Sequence, residues 1–234
     1  RSDSVLSRTG LIKIDPSGVA DLECKVDVME RIVDTLLTPD VQRRELLKDF
    51  CVLAKPASLT LDDYPHLSEL STDLMAYLDQ NRHAGMNVLV YGPPGTGKTE
   101  WVKRISAEIN ASLYEVTGEN PDGDALDITK RVESYQFAQR ALQKQANALL
   151  IFDEVEDVFP STMFLGNKRQ QSKSWFNTLL EENPVPAFWI ANSIKSINAA
   201  YLRRFDFIIE LDVPPKSVRL KIINEACKGL GVSD

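Results

Sequence analysis

Gly92-Pro93-Pro94-Gly95-Thr96-Gly97-Lys98-Thr99 sets three glycines, a lysine and a hydroxyl in the spacing G-x-x-x-x-G-K-S/T. Each residue type answers a need of polyphosphate chemistry. Glycine tolerates positive φ and a close backbone approach, so successive N–H groups can point inward at an anion. Lys98 can neutralise the outer charge, and the Thr99 hydroxyl can bind Mg²⁺. Glu100 follows directly and is grouped with Gly92 to Thr99 as nucleotide-binding. The pattern implies a nucleoside triphosphate site.

Two further segments supply groups that such a site uses. Ala148-Leu149-Leu150-Ile151-Phe152 is an apolar run that ends in Asp153-Glu154. Magnesium favours carboxylate oxygens and keeps several waters, so Asp153 can hold it through its hydration shell, while Glu154 can orient or activate the attacking water. That pair separates hydrolysis from mere binding. Phe188-Trp189-Ile190-Ala191 likewise ends in Asn192, whose amide both donates and accepts and could meet a γ-phosphate and the lytic water together. Acidic residues also cap strands and asparagines start turns; the phosphate loop upstream favours the chemical reading.

These groups must be positioned by strands and helices. Apolar strands are expected at 88–91, 112–116, 148–152, 187–191 and 207–211, with helical stretches between them. The alternation predicts an α/β fold of the P-loop NTPase kind: a mainly parallel five-stranded sheet with helices on both faces, its ligand beyond the carboxyl ends of the strands. Upstream, Leu22, Val26, Met29, Ile32, Val33, Leu36 and Leu37 recur at helical spacing. A second helix is expected after Thr38 as N-cap and Pro39 as first helical residue, with Val41, Leu46, Leu47 and Phe50 on its apolar side. Gly10 to Pro16 reads as a short strand with no evident partner. The break at Lys55-Pro56-Ala57-Ser58 divides a helical N-terminal segment or linker, 1–55, from a core, 56–213.

Composition narrows the class. The chain has 234 residues, 43% of them hydrophobic, enough for one substantial core. Its apolar stretches fall far short of the roughly 20 residues of a membrane span, and no signal pattern opens it; a cytoplasmic protein with no membrane partner is expected. Cys24, Cys51 and Cys227 lack disulfide or zinc spacing. A net charge of −7 argues against a chain-wide nucleic-acid footprint. A start at Arg1 and a stop soon after a helix start suggest an excised piece of a longer parent.

Leu202-Arg203-Arg204-Phe205-Asp206 completes a pattern. With Gly92 to Thr99, Asp153-Glu154 and Asn192, in that order and spacing, the sequence resembles the AAA+ ATPase family, as a bacterial-type core whose lid is truncated. The resemblance implies ATP and Mg²⁺ bound between neighbouring subunits of a ring, usually a hexamer, and used to remodel a protein or nucleic-acid partner. It implies that Arg204, or in second place Arg203, acts in trans as a finger, and that an isolated subunit is slow. Asp62-Asp63-Tyr64-Pro65 lies where the family packs against adenine, so Tyr64 is a candidate base contact. Residues 214–234 match the start of the helical lid; without the rest, weaker binding and slower hydrolysis are expected. Protein-threading members carry an aromatic pore loop, whereas this chain has Thr117-Gly118-Glu119-Asn120-Pro121-Asp122-Gly123-Asp124; Met163 to Lys173 is an alternative pore segment. An ATP-dependent switch or scaffold is a second reading, against which Glu154 argues. A P-loop small-molecule kinase is a third, and would need an arginine lid acting in cis.

Overall fold

Alternation along the strands sorts the apolar residues onto two faces of one sheet. The structure, a computed structural model, describes residues 12–14, 26–28, 47–80, 83–119, 123–158, 176–195, 197–216 and 218–220. Its strands in chain order are β1 (Ile12–Ile14), β2 (Val26–Val28), β3 (Cys51–Leu53), β4 (Asn87–Tyr91), β5 (Ser112–Val116), β6 (Ala148–Phe152), β7 (Ala187–Ala191) and β8 (Phe207–Glu210). Among the described residues the helices bounded at both ends are α1 (Ser68–Gln80), α2 (Lys98–Glu108), α3 (Ile128–Leu142) and the short α4 (Ala199–Leu202), and residues 176–181 are also helical.

Six strands form the main sheet in the order β3-β5-β6-β7-β4-β8. All neighbours in it run parallel except β3, which pairs antiparallel with β5. Val88, Val90, Leu149, Ile151, Phe188 and Ile190 face one side, where Leu74 and Leu78 of α1 and Trp101, Val102 and Ile105 of α2 cover them. Leu89, Leu150, Phe152 and Trp189 face the other, against Val132, Tyr135, Ala138 and Leu142 of α3. Burial on both faces is why β6 and β7 are apolar at every position. The α3 helix starts where the Asp127 side chain accepts the Lys130 N–H, which satisfies one orphan donor.

The order places β4 between β7 and β8, so the chain leaves β4 in one direction and crosses to its other side to form β8. A crevice beyond the carboxyl ends is the consequence of such a switch point. The amino end of β4 is pinned differently. Asn87 is fully buried; its Nδ2 donates to the Leu180 carbonyl, its Oδ1 accepts from Trp189 Nε1, and its backbone N–H donates to Asp206 Oδ2.

Several expectations are corrected here. The sheet has six strands, not five, and the additional one, β3, lies before the boundary expected at 55/56. Val26–Val28, expected within a helix, is a strand, and it is the partner that β1 lacked. Its Val-Asp-Val alternates polar and β-branched residues, and that local pattern overrides the longer helical period. Of the second expected helix, Leu47 and Lys48 are helical, Asp49 and Phe50 form a turn in which the Phe50 N–H donates to the Leu47 carbonyl, and 38–46 lie outside the described residues. In the segment expected to open a lid, Val218 and Arg219 donate to the Pro215 carbonyl, and 221–234 lie outside the described residues, as do 163–173. Among the described residues no helix is long and apolar enough to cross a membrane.

Candidate nucleotide site

Three groups come together at adjacent parallel strand ends: the loop after β4, Asp153 after β6 and Asn192 after β7. The loop's shape requires its glycines. A Cβ on Gly92 would lie 1.9 Å from the Leu211 carbonyl oxygen, where β8 closes on β4. Gly97, at φ +84, caps α2, and a Cβ there would meet the Tyr64 hydroxyl at 2.8 Å. Pro93, Pro94 and Gly95 are exposed at the crown of the loop, and Thr96 ties it with a bond from Oγ1 to the Pro93 carbonyl. The N-terminus of α2 opens directly from this loop, a polarity that suits an anion.

Lys98 is buried, and its Nζ donates to the carbonyls of Gly92 at 2.7 Å and Pro93 at 3.0 Å and to Asn192 Oδ1 at 3.1 Å. Burial lowers its pKa, and the carboxylates of Asp153 and Glu156 push the other way. Beside it, Thr99 Oγ1 donates to Asp153 Oδ2 at 2.9 Å. A hydroxyl against a carboxylate is a hard-oxygen pair of the kind Mg²⁺ takes. No cluster of three or more His, Cys, Asp or Glu side chains that could hold a metal occurs among the described residues, so the fit is to an ion that keeps water and phosphate oxygens as its remaining ligands.

Glu154 follows in the left-handed region, at φ 54 and ψ 52, with its side chain exposed. A non-glycine residue held there stores strain of about 1–2 kcal/mol. Two bonds fix the peptide that precedes it: Glu154 N–H donates to Asp153 Oδ1 at 2.8 Å, and Arg131 Nη2 donates to the Asp153 carbonyl at 2.5 Å. The Arg131 guanidinium also lies 4.7 Å from the centroid of the Phe152 ring. Glu156 Oε1 accepts the Asn192 N–H at 3.0 Å. Neither Arg131 nor Glu156 is marked by a motif; the one available signal was an acidic residue just past Asp153-Glu154.

Two expected site residues face other partners. Tyr64 is buried, and its hydroxyl donates to the Gly97 carbonyl at 3.1 Å, so its side chain buttresses the loop instead of lying open to a base. Glu100 Oε2 accepts both the N–H and the hydroxyl of Ser58 at 2.8 Å. A carboxylate turned toward the loop would repel the very anion that the loop suits, whereas here it latches the upstream segment onto α2. Burial alone would raise its pKa; the two Ser58 bonds and Lys103 outweigh that, and the net direction is down.

The arginine segment lies at the opposite end of the sheet. Asp206 N–H donates to the Asn87 carbonyl at 2.9 Å, and Phe205 is buried, so Arg203 and Arg204 sit by the amino end of β4. Arg204 Nε pairs with Glu181 Oε1 at 2.8 Å and its Nη1 donates to the Ala200 carbonyl. Arg203 is exposed; its backbone N–H donates to the Ala199 carbonyl, and its guanidinium has no hydrogen-bond or ion-pair partner among the described residues. The strand between puts roughly 13–16 Å between this segment and the phosphate loop.

A mainly parallel sheet with this loop, carboxylate pair and strand-end amide defines the P-loop nucleotide-binding fold. The pattern of the ATPase family associated with various cellular activities (AAA) matches residues 88–213, more than half of the chain, and the chain belongs to that family. It is 31% identical over 151 residues to the ATPase family gene 2 protein of Schizosaccharomyces pombe, a match covering 61% of this chain and 18% of that protein. It is 30% identical over 161 residues to a proteasome-activating nucleotidase of Saccharolobus islandicus, covering 63% and 39%. The chain thus spans well under half the length of these relatives. A chain in the structure of the E. coli MS115-1 HORMA:CdnC:Trip13 complex shares its fold, with a TM-score of 0.54 at 14% identity over 80% of this chain and 78% of that one.

Proposed function

We propose that this chain hydrolyses Mg-ATP at a site shared with the next copy of itself in a ring, a hexamer in the usual AAA arrangement, and that the cycle remodels a macromolecular partner. The observation that carries this reading is the separation of the two halves. Lys98, Thr99, Asp153, Glu154 and Asn192 share one end of the sheet, and Arg203 and Arg204 occupy the other, beyond reach in cis. In a head-to-tail ring the arginine end of one subunit faces the phosphate end of its neighbour.

In the proposed site the Gly92 to Thr99 backbone cradles the phosphates, and Lys98 leaves the loop carbonyls to neutralise them. Thr99 and Asp153 would hold Mg²⁺, which supplies charge neutralisation at the transferred phosphoryl group. Glu154 takes a proton from water as its oxygen attacks the γ-phosphorus, the bond to the β-phosphate oxygen breaks, and ADP and phosphate leave. Asn192 orients that water. Arg203, being unengaged in its own subunit, is the first choice for the finger, and Arg204, held by Glu181, is the residue that fixes the segment.

A protein partner is favoured by the relatives named as proteasome-activating nucleotidases. The acidic, aromatic-free loop from Thr117 to Asp124 gives no grip for an extended peptide, which argues for a remodelling step other than ordinary threading. The free Cys51 thiol suits a reducing, cytoplasmic setting. ATPase rate measured against protein concentration tests the shared site: a steep rise is expected, abolished by Glu154→Gln and by Arg203→Ala. A rate per chain that is independent of concentration and survives Arg203→Ala with Arg204→Ala would refute it.

A further inference from the structure

One acidic side chain reaches the same site without a place in the chemistry above. Glu156 lies in the turn Val155–Asp157 after β6. Its Oε1 accepts the backbone N–H of Asn192, 36 residues distant in sequence. Its Oε2 is buried and has no hydrogen-bond partner among the described residues. Its charge acts on Lys98, whose Nζ in turn donates to the Asn192 side chain. Leaving one oxygen of a carboxylate buried and unpaired is unfavourable, and a strand end needs no charged acceptor to be capped.

We propose that Glu156 is the positioning residue for Asn192: by holding its main chain it sets where the amide meets the γ-phosphate, and as a negative charge on the far side of the residue that Lys98 bonds it tempers the loop's attraction for any phosphate. The two effects are separable. The reach of the side chain governs discrimination of ATP from ADP, and its charge governs affinity for both alike. This rests on the reading of Asn192 as a γ-phosphate contact.

The experiment measures ATP and ADP affinities by titration calorimetry in a Glu154→Gln background, which removes turnover, with melting temperatures alongside. Glu156→Ala and Glu156→Asp lose the bond and are expected to reduce the ATP-over-ADP preference about tenfold. Glu156→Gln keeps an acceptor of the same reach; it should restore most of that preference while both nucleotides bind more tightly. A preference unchanged in the alanine and aspartate variants, or lost as fully in the glutamine variant, overturns the proposal, as does a lower melting temperature with an unaltered ratio. Asn192→Ala is the control. If it lowers the preference and the Glu156 variants do not, the Glu156 assignment alone fails; if it leaves the preference intact, the reading of Asn192 fails and the proposal with it.

Discussion

Thr99 Oγ1 donates to Asp153 Oδ2 at 2.9 Å, across 54 residues of sequence. This bond joins the start of α2 to the end of β6 and brings two hard oxygens together before any cation arrives. Thr99→Ala removes one of them. Its affinity for ATP should fall roughly tenfold when Mg²⁺ is present and little when EDTA is, because the hydroxyl acts on phosphate only through the metal. Paired titrations with and without Mg²⁺ check this.

Gly97 and Tyr64 form a second joint. Gly97→Ala meets both a left-handed backbone, worth about 1–2 kcal/mol, and the Tyr64 hydroxyl at 2.8 Å. Nucleotide binding should be lost along with a fall in melting temperature. Tyr64→Phe removes only the bond to the Gly97 carbonyl and should lower stability by about 1 kcal/mol. It should also weaken ATP and ADP equally, whereas a base-contacting tyrosine would alter the preference for adenine over guanine nucleotides.

Glu154 combines a left-handed backbone with the proposed role in catalysis. Glycine at that position relieves the left-handed backbone, so Glu154→Gly should raise the unfolding free energy by on the order of 0.5–1 kcal/mol while abolishing turnover. Denaturant melts and a phosphate-release assay on one preparation read both effects. A variant that is less stable than the parent would remove strain from the account of this residue.

Much of this site was legible in the sequence because its parts are local. The loop is a contiguous motif, and the carboxylate pair and Asn192 each end a run of buried apolar residues. The five parallel strands announce themselves for the same reason. Other parts depend on contacts that no local pattern records. Tyr64 finds Gly97 33 residues away, and Arg131 finds the Asp153 carbonyl 22 residues away. β3 is three residues long, at a sheet edge, with Val52 and Leu53 exposed, so it has neither the length nor the alternation to be read. Val26 falls on the helical period of residues 22–37 and Val28 does not, and antiparallel pairing with β1 places both in a strand. Arg204 looked the better finger by its place beside Phe205; only the fold shows that Glu181 occupies it.

The Glu100 latch has a pH signature. Its carboxyl, ordinarily at 4.5, is lowered in the fold, so the folded state binds fewer protons than the unfolded one in acid. The stability it contributes is present above that value and is lost as pH falls through the lowered one. Glu100→Gln should therefore melt below the parent at pH 7, and the gap should close as pH drops under 4.5. Melting curves from pH 3 to 7 test it; a gap that stays constant would show that the Ser58 bonds do not depend on the charge.

The claim that each site is completed by a neighbour is tested most directly by mixing two inactive chains. Lys98→Ala lacks the phosphate half but keeps its arginines, and the Arg203→Ala, Arg204→Ala double variant lacks the arginines but keeps its loop. Each alone should be inactive. Mixed in equal amounts, they should recover ATPase activity, because interfaces that join an intact loop to an intact arginine segment then form. Continued inactivity of the mixture, with assembly of both chains verified by sedimentation, would contradict a shared site.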